Sequence, residues 1–283
     1  MQQPFFFKPT SHNPTSCSQV FLGRQTFCTR SRMNARLYFY SGTSNLVLPV
    51  NQAAYPPEFK GASRLTYYAS LYTSVEINAS FYKVLKRATV EKWRDSVPPH
   101  FRFTFKVPKA VTHAKGLQFN AEELEIFAES VAGAGDKKGC LLVQLPPSVK
   151  QHQQEELEGI LESLGSDAKG WKIAVEFRDN SWYNSGVYRL LKSLGAGMVE
   201  QDLPKSATPK VTVAEDFSYL RFHGPEGTYR GSYDDAFLLA YAKRIVTWLN
   251  EGREVYAYFN NTFGSATENL ATLNTMVAQQ LKK

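Results

Sequence analysis

Eight short apolar runs recur along this chain, and each leads into a polar or charged residue. They are Leu37–Tyr40, Ser74–Asn78, Arg102–Val107, Cys140–Leu145, Lys172–Phe177, Gly197–Glu200, Tyr219–His223 and Glu254–Phe259. Val175-Glu176-Phe177-Arg178 and Leu220-Arg221-Phe222-His223 show the pattern most clearly. Side chains alternate between the two faces of a strand, so Glu176 and Arg178 share one face, and Arg221 and His223 share another. A charge on a buried face is costly unless it is paired or used.

Between the runs lie stretches with apolar residues at helical spacing: Ala62–Leu71, Ala121–Val131, Val149–Leu164, Ser185–Leu194, Asp234–Leu249 and Ala266–Leu281. Asn120 stands before the second as an N-cap, with Glu122 and Glu123 in the first turn. Strands alternating with helices predict parallel βα units, and eight of them favour a closed TIM-like barrel of the α/β class over an open sheet. The chain of 283 residues, 43% hydrophobic, has the length and core material for that fold. A parallel barrel gathers its sites at the C-terminal ends of its strands, so the charges ending these runs are expected to converge there.

The first residues read differently. Lys8, Arg24, Arg30, Arg32 and Arg36 all precede the first acid, Glu58, so this segment carries most of the net charge of +7. Residues 1–33 are expected to be a disordered basic extension, with an organelle transit peptide as the rival reading. Residues 34–283 are expected to form the barrel. Once the extension is set aside, little surplus charge remains for a general nucleic-acid surface. No stretch has the length and apolarity of a membrane span. The cysteines Cys17, Cys28 and Cys140 contain no CxxC pair, which argues against a disulfide framework and for a reducing, cytoplasmic setting.

Several segments in this order resemble the YecE-like family, also called domain of unknown function 72. They are Tyr40–Ser44, Tyr67–Ala69, Val75–Tyr82, Phe103–Pro108 with Thr112-His113, and Leu142–Pro147. Val175–Arg178 with Ser181-Trp182, Arg221–Gly224 and Tyr258–Asn261 follow. The resemblance runs from Leu37 to the C-terminus and implies a TIM-like barrel. It implies no activity. Lys83 stands where the family pattern has arginine, and the extension before Met33 has no counterpart in it.

The candidate chemistry lies on the strand ends. Glu76, Glu176 and His223 are the expected acid–base residues, because two adjacent carboxylates push one pKa up and separate acid from base. Asn78, Lys106, Gln144, Arg178, Arg221 and Asn260 are the expected substrate-binding residues. Arg178 and Arg221 are suited to clamping a carboxylate or phosphate, and the amides to orienting a polar ligand. Against this stands a bland reading, in which Glu76 is merely buried and paired with a barrel arginine. Tyr82, Trp182 and Tyr229 are candidates for stacking on a ring, or for packing.

Only His113 and His223, of five histidines, fall near the expected mouth, so a histidine-rich metal centre is not expected. A single Mg²⁺ on Glu76 and Glu176 stays open. No nucleotide loop of the GxGxxG or Walker type and no GxSxG elbow occurs, so no dedicated cofactor and no nucleophilic triad are expected. The reading is an enzyme, of hydrolase type, acting on a small phosphorylated or sugar-containing anion. Two alternatives use the same residues: a nucleic-acid-binding or phosphodiester-processing protein, and a non-catalytic ligand-binding barrel.

Overall fold

A computed structural model describes residues 38–282. The expected extension, residues 1–33, lies outside the described residues, as does Leu37 of the first expected strand. The strands are β1 (Phe39–Thr43), β2 (Ser74–Ile77), β3 (Arg102–Lys106), β4 (Lys138–Gln144), β5 (Lys172–Glu176), β6 (Ala196–Gln201), β7 (Phe217–Phe222) and β8 (Glu254–Phe259). All pair in parallel, in the order β1-β8-β7-β6-β5-β4-β3-β2, which curls into a nearly closed barrel.

Nine α-helices occur among the described residues. They are α1 (Arg64–Leu71), α2 (Ala79–Tyr82), α3 (Arg87–Asp95), α4 (Lys109–Thr112), α5 (Ala121–Val131), α6 (Gln154–Asp167), α7 (Ser185–Ser193), α8 (Asp235–Asn250) and α9 (Ala266–Gln280). The N-caps follow the sequence: Ser63, Asn120, Asn184 and Asp234 each accept a backbone N–H from the first turn of α1, α5, α7 and α8. The periodicity gave no sign of α2, α3 or α4. In α3 only Val90 is buried, so its sequence carries little apolar stripe to read.

The core has two shells. Outward-facing strand residues such as Val75, Phe103, Phe105, Val143, Val175, Phe222 and Phe259 pack under the helices. Inside the ring lie Tyr40, Cys140, Leu142, Ala174, Val199, Phe217, Tyr219, Tyr256 and Tyr258. Tyrosines in such a place need partners for their hydroxyls. Tyr258 Oη lies 2.6 Å from Ser74 Oγ and 2.7 Å from Thr104 Oγ1, and Tyr256 Oη donates to Glu254 at 2.7 Å.

The ring closes through a seam between β1 and β2. A single bridge, Ser44 with Glu76, joins the backbones there. Side chains complete the contact: Thr73 Oγ1 accepts from the Ser41 amide at 2.9 Å, and Tyr68 Oη accepts from the Thr43 amide at 2.7 Å. Gly42 makes the approach possible, since a Cβ there would stand 1.9 Å from the Ser74 carbonyl oxygen. The expected first strand, Leu37–Tyr40, is therefore set too early. Its pairing with β8 runs through Ser41, Gly42 and Thr43, small and polar residues with no strand signature of their own.

Candidate functional site

Strand parity carries the polar residues inward. Glu76 and Asn78 follow Ser74, Lys106 follows Thr104, Arg221 and His223 follow Tyr219, and each set continues the face that fills the barrel. At the C-terminal end of the ring they meet in one buried charged layer. Arg221 is its centre. Its Nη2 donates to Glu76 Oε1 at 2.7 Å and its Nε to Glu76 Oε2 at 2.9 Å, while Nη1 donates to Glu176 Oε2 at 2.6 Å. Arg178 Nε donates to Glu176 Oε1. Ser44 Oγ and Tyr219 Oη each donate to Glu76 at 2.6 Å. Every carboxylate oxygen of the pair thus carries a donor.

This arrangement corrects the expected acid–base pair. Burial alone would push both carboxyls up, but the Arg221 guanidinium beside Glu76 and the Arg178 and Arg221 guanidiniums beside Glu176 hold both below the usual glutamate range. Both are ionised at neutral pH and fully buried, Glu76 with two donors on each oxygen and Glu176 with one on each. The expectation of one raised and one lowered carboxyl fails because an arginine stands between them. The same guanidiniums compete with a Mg²⁺ for Glu76 and Glu176. Among the described residues no group of three His, Cys, Asp or Glu side chains could hold a metal ion.

His223 is also tied down. Its Nδ1 lies 3.1 Å from Asp202 Oδ1 and therefore carries the proton, and the same carboxylate oxygen accepts the His223 amide at 2.8 Å. Asp202 is fixed by the Tyr233 hydroxyl, which donates to its other oxygen. His223 Nε2 is left as an acceptor, 3.2 Å from Arg178 Nη2 and 3.4 Å from Arg221 Nη1. Burial pushes the imidazole pKa down, so the ring is neutral and orients the two arginines.

Above this layer the outlook is different. Lys106 is half-buried, with Nζ 4.0 Å over the ring of Phe81, and forms no salt bridge among the described residues. Burial, and then the charge of Arg221, push its amine pKa down to about 8. Arg178 keeps 12% of its side chain exposed, and its Nη1 lies 3.3 Å from Tyr229 Oη. Tyr229 holds a left-handed backbone, φ 62°, an uncommon conformation for an aromatic residue. That turn brings its ring edge-on to His223. Asn78 Nδ2 donates to Ser44 Oγ at 2.7 Å, but its Oδ1 is buried without a partner. Asn260 anchors its amide on Phe222 O at 2.7 Å, and its side chain makes no hydrogen bond among the described residues.

Two expected binding residues behave otherwise. Gln144 turns its Nε2 back onto the Leu145 carbonyl at 2.8 Å, and Arg221 is wholly internal. Trp182 is not at the mouth for stacking: it is buried against Phe177, with Nε1 donating to Val149 O at 3.0 Å. Tyr82 is 80% exposed. Asn261 bonds the Gly231 carbonyl, a structural role. The residues that sequence reasoning missed are Ser44, Tyr219, Asp202 and Tyr233. Tyr219 was within reach, since it shares parity with Arg221 and His223. Ser44 was hidden by the misplaced first strand, and Asp202 lies just past β6, where no alternation marks it.

Comparison with known proteins agrees with this fold. The chain belongs to the family described as protein of unknown function DUF72, whose model matches residues 40–283. It is 26% identical over 246 residues to UPF0759 protein YunF of Bacillus subtilis (strain 168), covering 76% of this chain and 86% of that one. It is also 26% identical over 126 residues to UPF0759 protein YecE of Escherichia coli (strain K12), 44% and 45% of the two chains. A solved DUF72 family protein from Thermotoga maritima MSB8 superposes with a TM-score of 0.69 at 28% identity, over 87% of this chain and 99% of that one. No helix among the described residues is long and apolar enough to cross a membrane.

Proposed function

We propose that the barrel mouth binds a small, hydroxyl-bearing anionic metabolite, with Lys106 and Arg178 receiving its anionic group. The observation that carries this reading is the unpaired ammonium of Lys106 beside Arg178 and Arg221, in a wall whose glutamates are already spent on arginines. A half-buried cation without a counter-ion is costly, and an incoming carboxylate or phosphate relieves that cost. Asn78 steadies Ser44 through its Nδ2, and the uncommitted amide of Asn260 offers a polar contact to a substrate hydroxyl. Glu76, Glu176 and His223 support this site by holding the arginines, and are not assigned to proton transfer.

Thermal denaturation with inorganic phosphate, small phosphate esters and di- and tricarboxylates tests the proposal. A matching anion at a hundred times its Kd adds about 2.7 kcal/mol, a rise of about 5–10 °C for a chain of this size. Arg178→Ala and Lys106→Met should each remove the shift. No shift with any anion, or a shift that survives both substitutions, would overturn it.

A further inference from the structure

Four described lysines are buried or half-buried, and three of them have evident structural work. Lys137 donates to the carbonyls of Arg94 and Val97, Lys138 donates to the Lys169 carbonyl at 2.7 Å, and Lys172 pairs with Asp216 at 2.8 Å. Lys106 alone of the four has neither carboxylate nor carbonyl to hold it. It stands at the C-terminal end of β3, in contact with the face of Phe81. Phe81 in turn lines a cavity of ≈ 500 Å³ with Tyr82, Pro108, Ala110 and His113. The amine thus covers a ring that borders this recess, and it feels the charges of Arg221 and Arg178.

We infer that Lys106 is a covalent nucleophile, whose ε-amine condenses with the carbonyl carbon of a small keto or aldehyde compound bearing an anionic group. The inference rests on the anion-binding reading of the same mouth and deepens it: Lys106 and Arg178 draw the anion in, Arg178 keeps it, and the adjacent carbonyl meets Nζ. Desolvation and neighbouring cations are the usual means of producing a nucleophilic lysine. Both operate here, and they raise the share of free amine near neutral pH.

The step balances without a further reagent. The Nζ lone pair adds to the carbonyl carbon, and the C=O π pair moves to oxygen, which takes a proton released from nitrogen. The resulting hydroxyl leaves as water, with the proton that the ammonium first gave up to expose its lone pair, as the C=N bond forms. Overall, one ammonium and one carbonyl give one iminium and one water. The positive charge is retained, so the surroundings that bound the ammonium also accept the product. The iminium then withdraws electrons from bonds to the neighbouring carbon.

The test is reductive trapping on the full chain. The protein is incubated with pyruvate, or in parallel with dihydroxyacetone phosphate, in the presence of sodium cyanoborohydride, then weighed intact and mapped by peptide. The expected result is one adduct per chain on the Lys106 peptide. Its occupancy should be about tenfold or more above any other lysine, given an amine roughly two pKa units below the ordinary value. Yield should climb as pH rises through about 8. Adduct with pyruvate alone identifies a keto-acid site, and with the phosphate ester alone a sugar-phosphate site, and either supports the inference. Lys106→Arg should abolish trapping, and in the wild-type chain the peptide map answers even if that variant is unstable. An anion-induced thermal shift without any adduct would overturn the covalent role and leave the binding reading standing. Adduct scattered evenly over surface lysines would overturn it as well. Neither shift nor adduct would remove both.

Discussion

Arg221 grips Glu76 edge-on across the barrel, Nη2 to Oε1 at 2.7 Å and Nε to Oε2 at 2.9 Å, joining β7 to β2 through the interior. The pair is wholly buried and shares its guanidinium with Glu176. It is therefore a structural tie of the ring, placed where such barrels ordinarily keep reactive groups. The binding surface proposed above lies one step outward, at Lys106 and Arg178.

Arg221→Ala should be strongly destabilising. It strands two buried carboxylates, at a cost of about 3–5 kcal/mol, so Tm should fall by on the order of 10 °C. Thermal melts of the variant at pH 7 check this. Arg178→Ala, nearer solvent and paired to Glu176 alone, should lose clearly less. Equal losses would contradict the division between tie and receptor.

The seam predicts its own sensitivity. In Gly42→Ala the new Cβ meets the Ser74 carbonyl and the Tyr68 hydroxyl, so β1 and β2 must part and the yield of folded protein should drop. Tyr68→Phe leaves the buried Thr43 amide without its acceptor and should cost about 1–3 kcal/mol. Urea unfolding of both variants gives the comparison, with a near-neutral Gly42→Ala as the outcome against this account.

Acid should weaken the fold in two stages. The pKa of His223 and that of His113, which is pushed down to about 4 chiefly by burial, are both lower in the folded chain than in the unfolded one. The unfolded chain therefore binds protons first, and stability falls as pH drops below about 6.5. Glu76 and Glu176 also have lowered pKa values, so their contribution is present above the ordinary glutamate value of about 4.3 and is lost below it. Tm measured from pH 7 to pH 3 should decline through both windows, and His113→Gln should flatten the upper one.

Chelation should be without effect. Since the guanidiniums of Arg221 and Arg178 already neutralise Glu76 and Glu176, EDTA and added Mg²⁺ should both leave Tm unchanged. A rise with Mg²⁺ that vanishes in Glu176→Gln would reverse the assignment.

Much of this architecture was legible in the chain because parity is a local property. Alternation alone put Glu76, Glu176, Arg178, Arg221 and His223 on inward faces, and β8 was read to its observed limits, Glu254–Phe259. What alternation cannot convey is which charges cancel. That depends on the width of the closed ring, which lets Arg221 reach Glu76 and Glu176 together, and on Asp202, a residue beyond a strand end that fixes His223. For Glu76 the geometry matches the bland reading, a buried carboxylate paired with a barrel arginine.

Seen as a rolled strip rather than a ring, the barrel has two long edges, and they are β1 and β2. Neighbouring amides on β1's end then have unlike fates. Ser44 N–H is held by Phe259 on the continuous side, at 2.9 Å, whereas Asn45 N–H reaches across the gap to Glu76 O, at 2.8 Å. A brief unrolling would free the second while sparing the first, and would pull the Ser44 hydroxyl from the Glu76 carboxylate in the same movement. Deuterium should therefore enter at Asn45 ahead of Ser44, and local breathing of the edge would reach the charged layer before any strand ladder is broken.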